Sequence, residues 1–160
     1  MSSNYFRALL AGLVVASIVP LSAMATDSAA VQRGRYLVQF GGCNDCHTSG
    51  YAQREGKVPD KEWLEGDTVG FSGPWGTTYP VNLRLTLSQM SEDVWVNYAH
   101  TLHARPPMPS FTLNIMKEQD LRDIYRFVRS LGPGGAPAPA YVPPGQKPNG
   151  PHVVYPGVAP

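Results

Sequence analysis

Two cysteines and a histidine form the clearest chemical motif of the sequence. Cys43 and Cys46 are the chain's two cysteines, and His47 follows directly, which gives the pattern Cys-x-x-Cys-His. Two thiols three residues apart on one helical turn can both form thioethers with the vinyl groups of a haem. The adjacent imidazole then lies against the haem face and binds its iron. The motif therefore predicts one covalently bound haem c, tethered by Cys43 and Cys46 and ligated by His47.

Three other chemistries use paired cysteines, and each fits this sequence less well. A thioredoxin-like redox pair needs a strand–helix setting, whereas this pair follows an amphipathic segment and glycines. A zinc site needs four ligands, commonly from two such pairs, and this chain has one pair. A disulfide across two intervening residues would constrain very little chain. Haem attachment is the chemistry that the pattern favours.

The motif does not specify a sixth ligand for the iron. Met108 stands between Pro107 and Pro109, whose rings restrict the backbone and could hold a thioether at the metal. A methionine in such sequence is a less typical core residue than one on an apolar stripe. Methionine is one of the side chains known to bind haem iron together with histidine, and we predict Met108 as the ligand. The other candidates are Met90, Met116, His100, His103 and His152.

The first 25 residues have the pattern of an export signal. Arg7 supplies a positive charge, and the uncharged segment 8–19 is apolar throughout. Ala23 and Ala25 then fit a small-x-small cleavage site. Twelve apolar residues are too few to span a bilayer, which takes about 20. We expect cleavage after Ala25 and a soluble periplasmic protein without a membrane span.

Composition restricts the remaining possibilities. Thirteen basic and twelve acidic side chains nearly cancel, which excludes a generally basic surface for nucleic acid or anionic lipid. Aromatic residues make up 10% of the chain, which argues for a folded domain. The mature length suits one domain with one core. We assign residues 1–25 to the signal, 26–132 to the haem domain and 133–160 to a tail.

Three predicted helices must position the motif. The first covers residues 28–41 with Asp27 or Ser28 as its cap, and Gly34 within it suggests close approach of another helix. The second runs from its cap Ser91 to Leu102. Its expected apolar face is Val94, Trp95, Tyr98, Ala99 and Leu102. The last covers 118–131, with Leu121, Ile124, Tyr125, Val128 and Leu131 inside and Arg122, Asp123, Arg126 and Arg129 facing water.

The rest of the chain is predicted to consist mainly of loops, with short helical turns in residues 48–90. Residues 48–90 are rich in Gly, Thr and Pro, and residues 104–116 hold three prolines. Nine prolines and six glycines in residues 132–160 predict a tail without helix or sheet. Its apolar side chains either pack on the haem domain or leave the tail as a semi-rigid spacer. These are Tyr141, Val142, Val153, Val154 and Tyr155.

Residues 30–132 resemble a class I cytochrome c. The resemblance lies in Gly34-x-Tyr36-Leu37 before the cysteines, the proline-rich loop with Met108, and a final helix that holds Tyr125 and Phe127. It implies a small all-α fold in which the first and last helices cross around one haem, with Gly34 against Phe127 or Tyr125. The segment 73–83 is also similar to the cytochrome modules of bacterial alcohol, aldehyde and sugar dehydrogenases.

The resemblance also implies further haem contacts. Pro59 corresponds to the proline whose carbonyl accepts a hydrogen bond from the ligating histidine. Trp75, Tyr79, Asn82 and Arg84 are candidate donors to the haem propionates. For Trp75 and Tyr79 an ordinary core position is equally compatible with the sequence, since buried Trp and Tyr need partners in any case. For Arg84 a solvated side chain is the preferred interpretation.

The function that the resemblance implies is electron transfer without bond chemistry. The expected partners are redox proteins: a periplasmic dehydrogenase or quinol-oxidising complex as donor, and an oxidase or another cytochrome as acceptor. The alternative is a haem enzyme or a gas-binding sensor whose sixth iron position is open.

Overall fold

Helices and a small sheet together form the part of the chain that the structure describes. The computed structural model describes the backbone of residues 21–156 and the side chains of residues 28–156. The helices are α1 (Leu21–Phe40), α2 (Cys43–His47), α3 (Leu83–Ser88), α4 (Glu92–Thr101), α5 (Ser110–Asn114) and α6 (Glu118–Ser130), with a 3-10 turn at Asp60–Glu62. The strands are β1 (Gly70–Gly73), β2 (Gly76–Thr78) and β3 (His152–Val154). The predicted all-α class is therefore wrong, because helices and a sheet are both present.

The sheet forms where the sequence predicted irregular chain. Its order is β2-β1-β3, with β1 antiparallel to β2 and parallel to β3. Gly73 pairs with Gly76, so only two residues connect β1 to β2, and Gly76 has φ 93°. The two turn residues are Pro74 and Trp75, and the positive φ belongs to Gly76 directly after them, where glycine adopts it without strain. Strands of three and four residues are too short to produce a recognisable alternation of apolar side chains.

The approach of α1 to α6 positions the Cys-x-x-Cys-His motif. A Cβ atom on Gly34 would lie 1.9 Å from the backbone oxygen of Asp123 and 2.8 Å from Cβ of Phe127. The predicted crossing of the first and last helices, with Gly34 against Phe127, is thereby confirmed. Around it lies a core in which the ring of Trp63 packs edge-on against Phe127 at 6.0 Å between centroids. The guanidinium of Arg35 covers the Trp63 ring at 4.7 Å.

The helix boundaries differ in part from those predicted. The first helix already includes Leu21, so Asp27 and Ser28 lie inside it and neither caps it. The apolar segment 8–19 of the expected export signal lies outside the described residues. Between residues 21 and 156 the structure has no helix that is long and apolar enough to cross a membrane.

The later helices confirm some predictions and correct others. The Ser91 side chain accepts a hydrogen bond from the backbone N–H of Val94, as predicted for the cap of α4. The buried face of α4 is Trp95, Val96 and Ala99, however, while Val94 and Tyr98 are exposed. Residues 110–114 of the expected irregular loop form α5.

Asp123 is buried, although the helical pattern placed it in water. Its carboxylate lies 3.2 Å from Nε of Arg33 on α1 and accepts a hydrogen bond from Gln119 at 2.8 Å. A buried carboxylate is stable only when such partners replace its water. The position of Asp123 follows from the crossing at Gly34, which brings the two helix backbones into contact.

The tail packs on the hairpin, which decides between the two alternatives for it. β3 continues the sheet, and Val142 forms an isolated antiparallel bridge with Thr77 of β2. The side chain of Tyr155 packs beside Phe71 and Trp75, with centroids 6.3 and 5.8 Å away. The prediction that the tail contains no strand is wrong. Backbone groups at the edge of the hairpin supply hydrogen-bond partners to the tail, and nothing in the tail's own sequence indicates these partners.

Replacement of Gly34 by alanine should destabilise the protein by at least about 3 kcal/mol, because the added methyl group would overlap the backbone of α6 and force the helices apart. Unfolding in guanidinium chloride, followed by far-ultraviolet circular dichroism, measures the change. The matched control is Gln32→Ala at an exposed position of the same helix, which should change stability by no more than about 0.5 kcal/mol. Equal stability of the two variants would contradict the role given to Gly34.

Candidate functional site

The cysteine motif forms a short helix of its own directly after α1. Gly41 and Gly42 connect the two helices, and Gly42 has φ 68°, in the left-handed region that glycine accepts readily. Cys43 and Cys46 therefore lie on one turn of α2, and His47 is its last residue. This is the local geometry that attachment of one haem through two thioethers requires.

The two thiols are held in their neutral form. Burial raises the pKa of Cys43 to about 11, and the nearby carboxylate of Asp45 adds to the shift. Burial likewise raises the pKa of Cys46, again with a contribution from Asp45. A redox-active pair depends on a thiolate that its surroundings stabilise, with a lowered pKa. These surroundings therefore disfavour a thioredoxin-like role, as does the helix that precedes the pair.

His47 is buried and oriented by a backbone carbonyl. Its Nδ1 lies 2.8 Å from the oxygen of Val81, and because a carbonyl only accepts, Nδ1 carries the hydrogen. Burial lowers the pKa of His47, although the bond to Val81 opposes the shift. The ring is thus neutral near pH 7, with the lone pair on Nε2. A neutral imidazole fixed through its other nitrogen is the form in which histidine binds a metal.

The expected contact between Pro59 and His47 is wrong. The carbonyl of Pro59 accepts a hydrogen bond from the N–H of Glu62 at 2.9 Å and begins the 3-10 turn. Val81 takes the place of Pro59 because the chain after β2 runs back past α2. There it lies next to Gly66, whose N–H donates to the carbonyl of His47. No side-chain pattern marks a backbone acceptor, so the sequence carried no signal for Val81.

Arg84 is enclosed by the protein, which corrects the expectation of a solvated side chain. Its exposed fraction is 6%, and its guanidinium donates to the carbonyls of Lys61, Leu131, Gly132 and Pro133 and to the Glu65 carboxylate. These contacts join α3 to the end of α6 and the start of the tail. Its donors are already bound within the fold, so we assign Arg84 a structural role rather than a propionate contact.

The other candidate propionate donors also bond within the fold. Asn82 accepts from the N–H of Leu85 as the cap of α3, and its Nδ2 donates to the carbonyl of Gly134 at 2.8 Å. Nε1 of Trp75 donates to the carbonyl of Phe71 within the hairpin. The Tyr79 hydroxyl lies 3.5 Å from the carbonyl of Asn149.

Met108 lies half-buried in the loop between α4 and α5, and that loop is attached to β2. The Thr78 hydroxyl donates to the carbonyl of Pro106 at 2.9 Å, while the N–H of Met108 donates to the carbonyl of Arg105. Three residues after Thr78, Val81 holds His47. One segment of four residues therefore contacts both the Met108 loop and the predicted iron-binding histidine.

Of the other candidate ligands, the three histidines lie at the surface and the two methionines are half-buried. His100 is bonded through Nε2 to the carbonyl of Met116, 3.1 Å away, and Met116 itself packs against the core. The carbonyl of Met90 accepts a hydrogen bond from the hydroxyl of Tyr125. His103 and His152 are exposed.

The residues present fit a covalent haem. Two neutral thiols share one turn, and the adjacent imidazole keeps one nitrogen for a metal. Large apolar side chains near the motif are exposed, among them Phe40, three residues before Cys43, at 78%, and Val81 at 47%. Covering exposed apolar surface of this kind with a flat apolar group is favourable, because it removes the surface from water.

Removal of the Arg84 side chain should lower stability by about 3 kcal/mol, because several buried carbonyls and the Glu65 carboxylate would lose their donor. Urea unfolding monitored by tryptophan fluorescence measures this for Arg84→Ala. Arg54→Ala is the matched control, since the Arg54–Glu62 pair is exposed and contributes at most about 1 kcal/mol. The interpretation fails if both variants unfold at the same urea concentration.

Within the described residues, no group of three or more His, Cys, Asp or Glu side chains could hold a metal ion. Comparison of the chain with protein-family models, with curated proteins and with solved structures gave no match.

Proposed function

We propose that the chain is a periplasmic c-type cytochrome with one haem, which transfers electrons between other redox proteins. The observation that carries the proposal is the geometry of His47. It ends a turn that bears two cysteines, and its Nδ1 is bound to Val81 so that Nε2 remains as the metal-binding atom. Haem attachment uses both the paired cysteines and the oriented histidine. A disulfide or a dithiol site does not need the histidine.

Each residue of the site has a simple role in this proposal. Cys43 and Cys46 would tether the haem, and His47 and Met108 would be the residues that bind its iron. Haem supplies reversible one-electron exchange between Fe(II) and Fe(III). The Val81 carbonyl keeps the His47 ring in one orientation and one tautomer. Pro107 and Pro109 limit the backbone freedom of Met108.

A carrier differs from an enzyme in the coordination of its iron. With His47 and Met108 both bound, no position is open to a substrate, and neither ligand has to move when an electron is exchanged. Methionine ligation also raises the reduction potential relative to two histidines. The donor proposed is a dehydrogenase or quinol-oxidising complex, and the acceptor is an oxidase or another cytochrome.

Acid–acetone extraction of the purified protein should leave the haem on the polypeptide. The mass of the chain from Thr26 should exceed that of the bare sequence by one haem, because one pair of thiols forms the two thioethers. Mass spectrometry of the intact protein makes the measurement, with Cys43→Ser/Cys46→Ser as the control that should lose covalent haem. Extractable haem, or zinc in place of haem, would contradict the proposal.

Replacement of Met108 by alanine should remove the weak far-red absorption band of sulfur-bound Fe(III) haem and lower the reduction potential. Absorption spectra and a redox titration of the purified protein measure both effects. The matched control is Met116→Ala, which should keep the band and lower stability by about 2 kcal/mol, because Met116 packs against the core.

One spectroscopic outcome would contradict the carrier assignment, and a second would contradict only the choice of Met108 as the ligand. A wild-type protein that is high-spin and binds carbon monoxide at once has an open iron position, as an enzyme or sensor would. A low-spin protein without the far-red band has a nitrogen ligand instead of Met108, and His100 or His103 would then be the residue to replace.

A further inference from the structure

The tail does more than cover the hairpin, because it also contacts the loop that carries Met108. We call residues 132–156 the C-terminal strap. Its first part supplies carbonyls to Asn82 and Arg84, and its last part adds β3 to the sheet. Between these attachments, Tyr141 contacts both the hairpin and the Met108 loop.

Tyr141 is fixed by its hydroxyl and faces a cation with its ring. The hydroxyl donates to the carbonyl of Trp75 at 2.7 Å, and the guanidinium of Arg105 lies 3.9 Å from the ring centroid. The next residue, Val142, exchanges two backbone hydrogen bonds with Thr77. Gly76 permits this approach, since a Cβ there would lie 2.3 Å from the Val142 oxygen. The ring that faces Arg105 is therefore held on a rigid support.

The Met108 loop is consequently held at two successive residues. Tyr141 faces the side chain of Arg105, and Thr78 donates to the carbonyl of Pro106. The carbonyl of Arg105 accepts the N–H of Met108, so a shift of Arg105 is passed to the predicted ligand. Both supports belong to the same unit, because the strap and β2 are paired through Val142.

We propose that the C-terminal strap positions the Met108 loop through the contact of Tyr141 with Arg105, and thereby controls how readily Met108 leaves the iron. The inference rests on the proposed function, in which Met108 is the sixth ligand. Tyr141 and Arg105 are positioning residues, since both act through the loop. A cation over an aromatic ring at the surface stabilises the held position of the loop. Loss of this contact should therefore accelerate departure of Met108 from the iron about two- to fivefold.

The experiment measures binding of carbon monoxide to the reduced holoprotein. At saturating carbon monoxide the observed rate is limited by departure of Met108. Tyr141→Ala and Arg105→Ala should each raise this rate about two- to fivefold. The rate of the double variant should be no higher than that of either single variant, because all three variants lose the same contact. Tyr141→Phe keeps the ring but loses the hydroxyl bond to Trp75, so its rate should lie between those of the wild type and Tyr141→Ala. Arg105 is exposed, so its variant is expected to fold even if Tyr141→Ala does not.

A control separates positioning from general stability. Tyr155 packs on Phe71 and Trp75 from the same strap and, within the described part of the chain, has no hydrogen bond or ring contact with residues 105–110. Tyr155→Ala should lower the melting temperature without changing the carbon monoxide rate. Amide hydrogen exchange of Met108 and Ser110, whose N–H groups are bonded within the loop, gives a second readout, and it should accelerate in Tyr141→Ala and Arg105→Ala but not in Tyr155→Ala.

Failure of the inference and failure of the proposed function give different results. Met108→Ala should bind carbon monoxide without the slow step, and if it behaves like wild type, the assignment of Met108 and the inference fail together. If Met108→Ala opens the site while Arg105→Ala keeps the wild-type rate, the inference alone is overturned. Equal acceleration by Tyr155→Ala would also overturn it, since any loosening of the strap would then suffice.

Discussion

The contact between the backbones of α1 and α6 at Gly34 is the constraint on which the rest of the structure depends. No side chain separates the helices there, because a Cβ would overlap the Asp123 carbonyl. Close approach places Phe127 against Trp63 and buries the Asp123 carboxylate beside Arg33. Since α2 follows α1 after only two glycines, the same crossing fixes the position of the cysteine turn.

A second group of contacts is concentrated in residues 78–84. Within seven residues the chain holds Pro106 through Thr78, orients His47 through Val81 and caps α3 with Asn82. Arg84 completes the group, and its burial is tolerated because Glu65 and four carbonyls replace its water. Both predicted iron ligands therefore depend on one short segment, and the strap depends on it as well.

The sequence by itself determined the features that are local. The spacing of Cys43, Cys46 and His47 predicts their common turn, because residues three or four apart on an α-helix lie about one turn of 3.6 residues from each other. Ser91 identified its own helix start, since a cap acts on an N–H only three residues away. Gly34 indicated close approach of another helix, because a glycine inside a helix lowers stability unless close packing compensates for the loss.

Tertiary structure decided everything that depends on partners distant along the chain. The strand at His152–Val154 exists because β1 presents unpaired backbone groups to it, and a run of prolines and glycines does not disclose such a partner. Val81, not Pro59, holds His47, because a carbonyl is common to every residue and only the path of the chain selects one. Likewise Arg84 and Asp123 looked solvated in sequence. They are buried because the fold supplies charges and carbonyls to them from other segments, which composition and periodicity cannot encode.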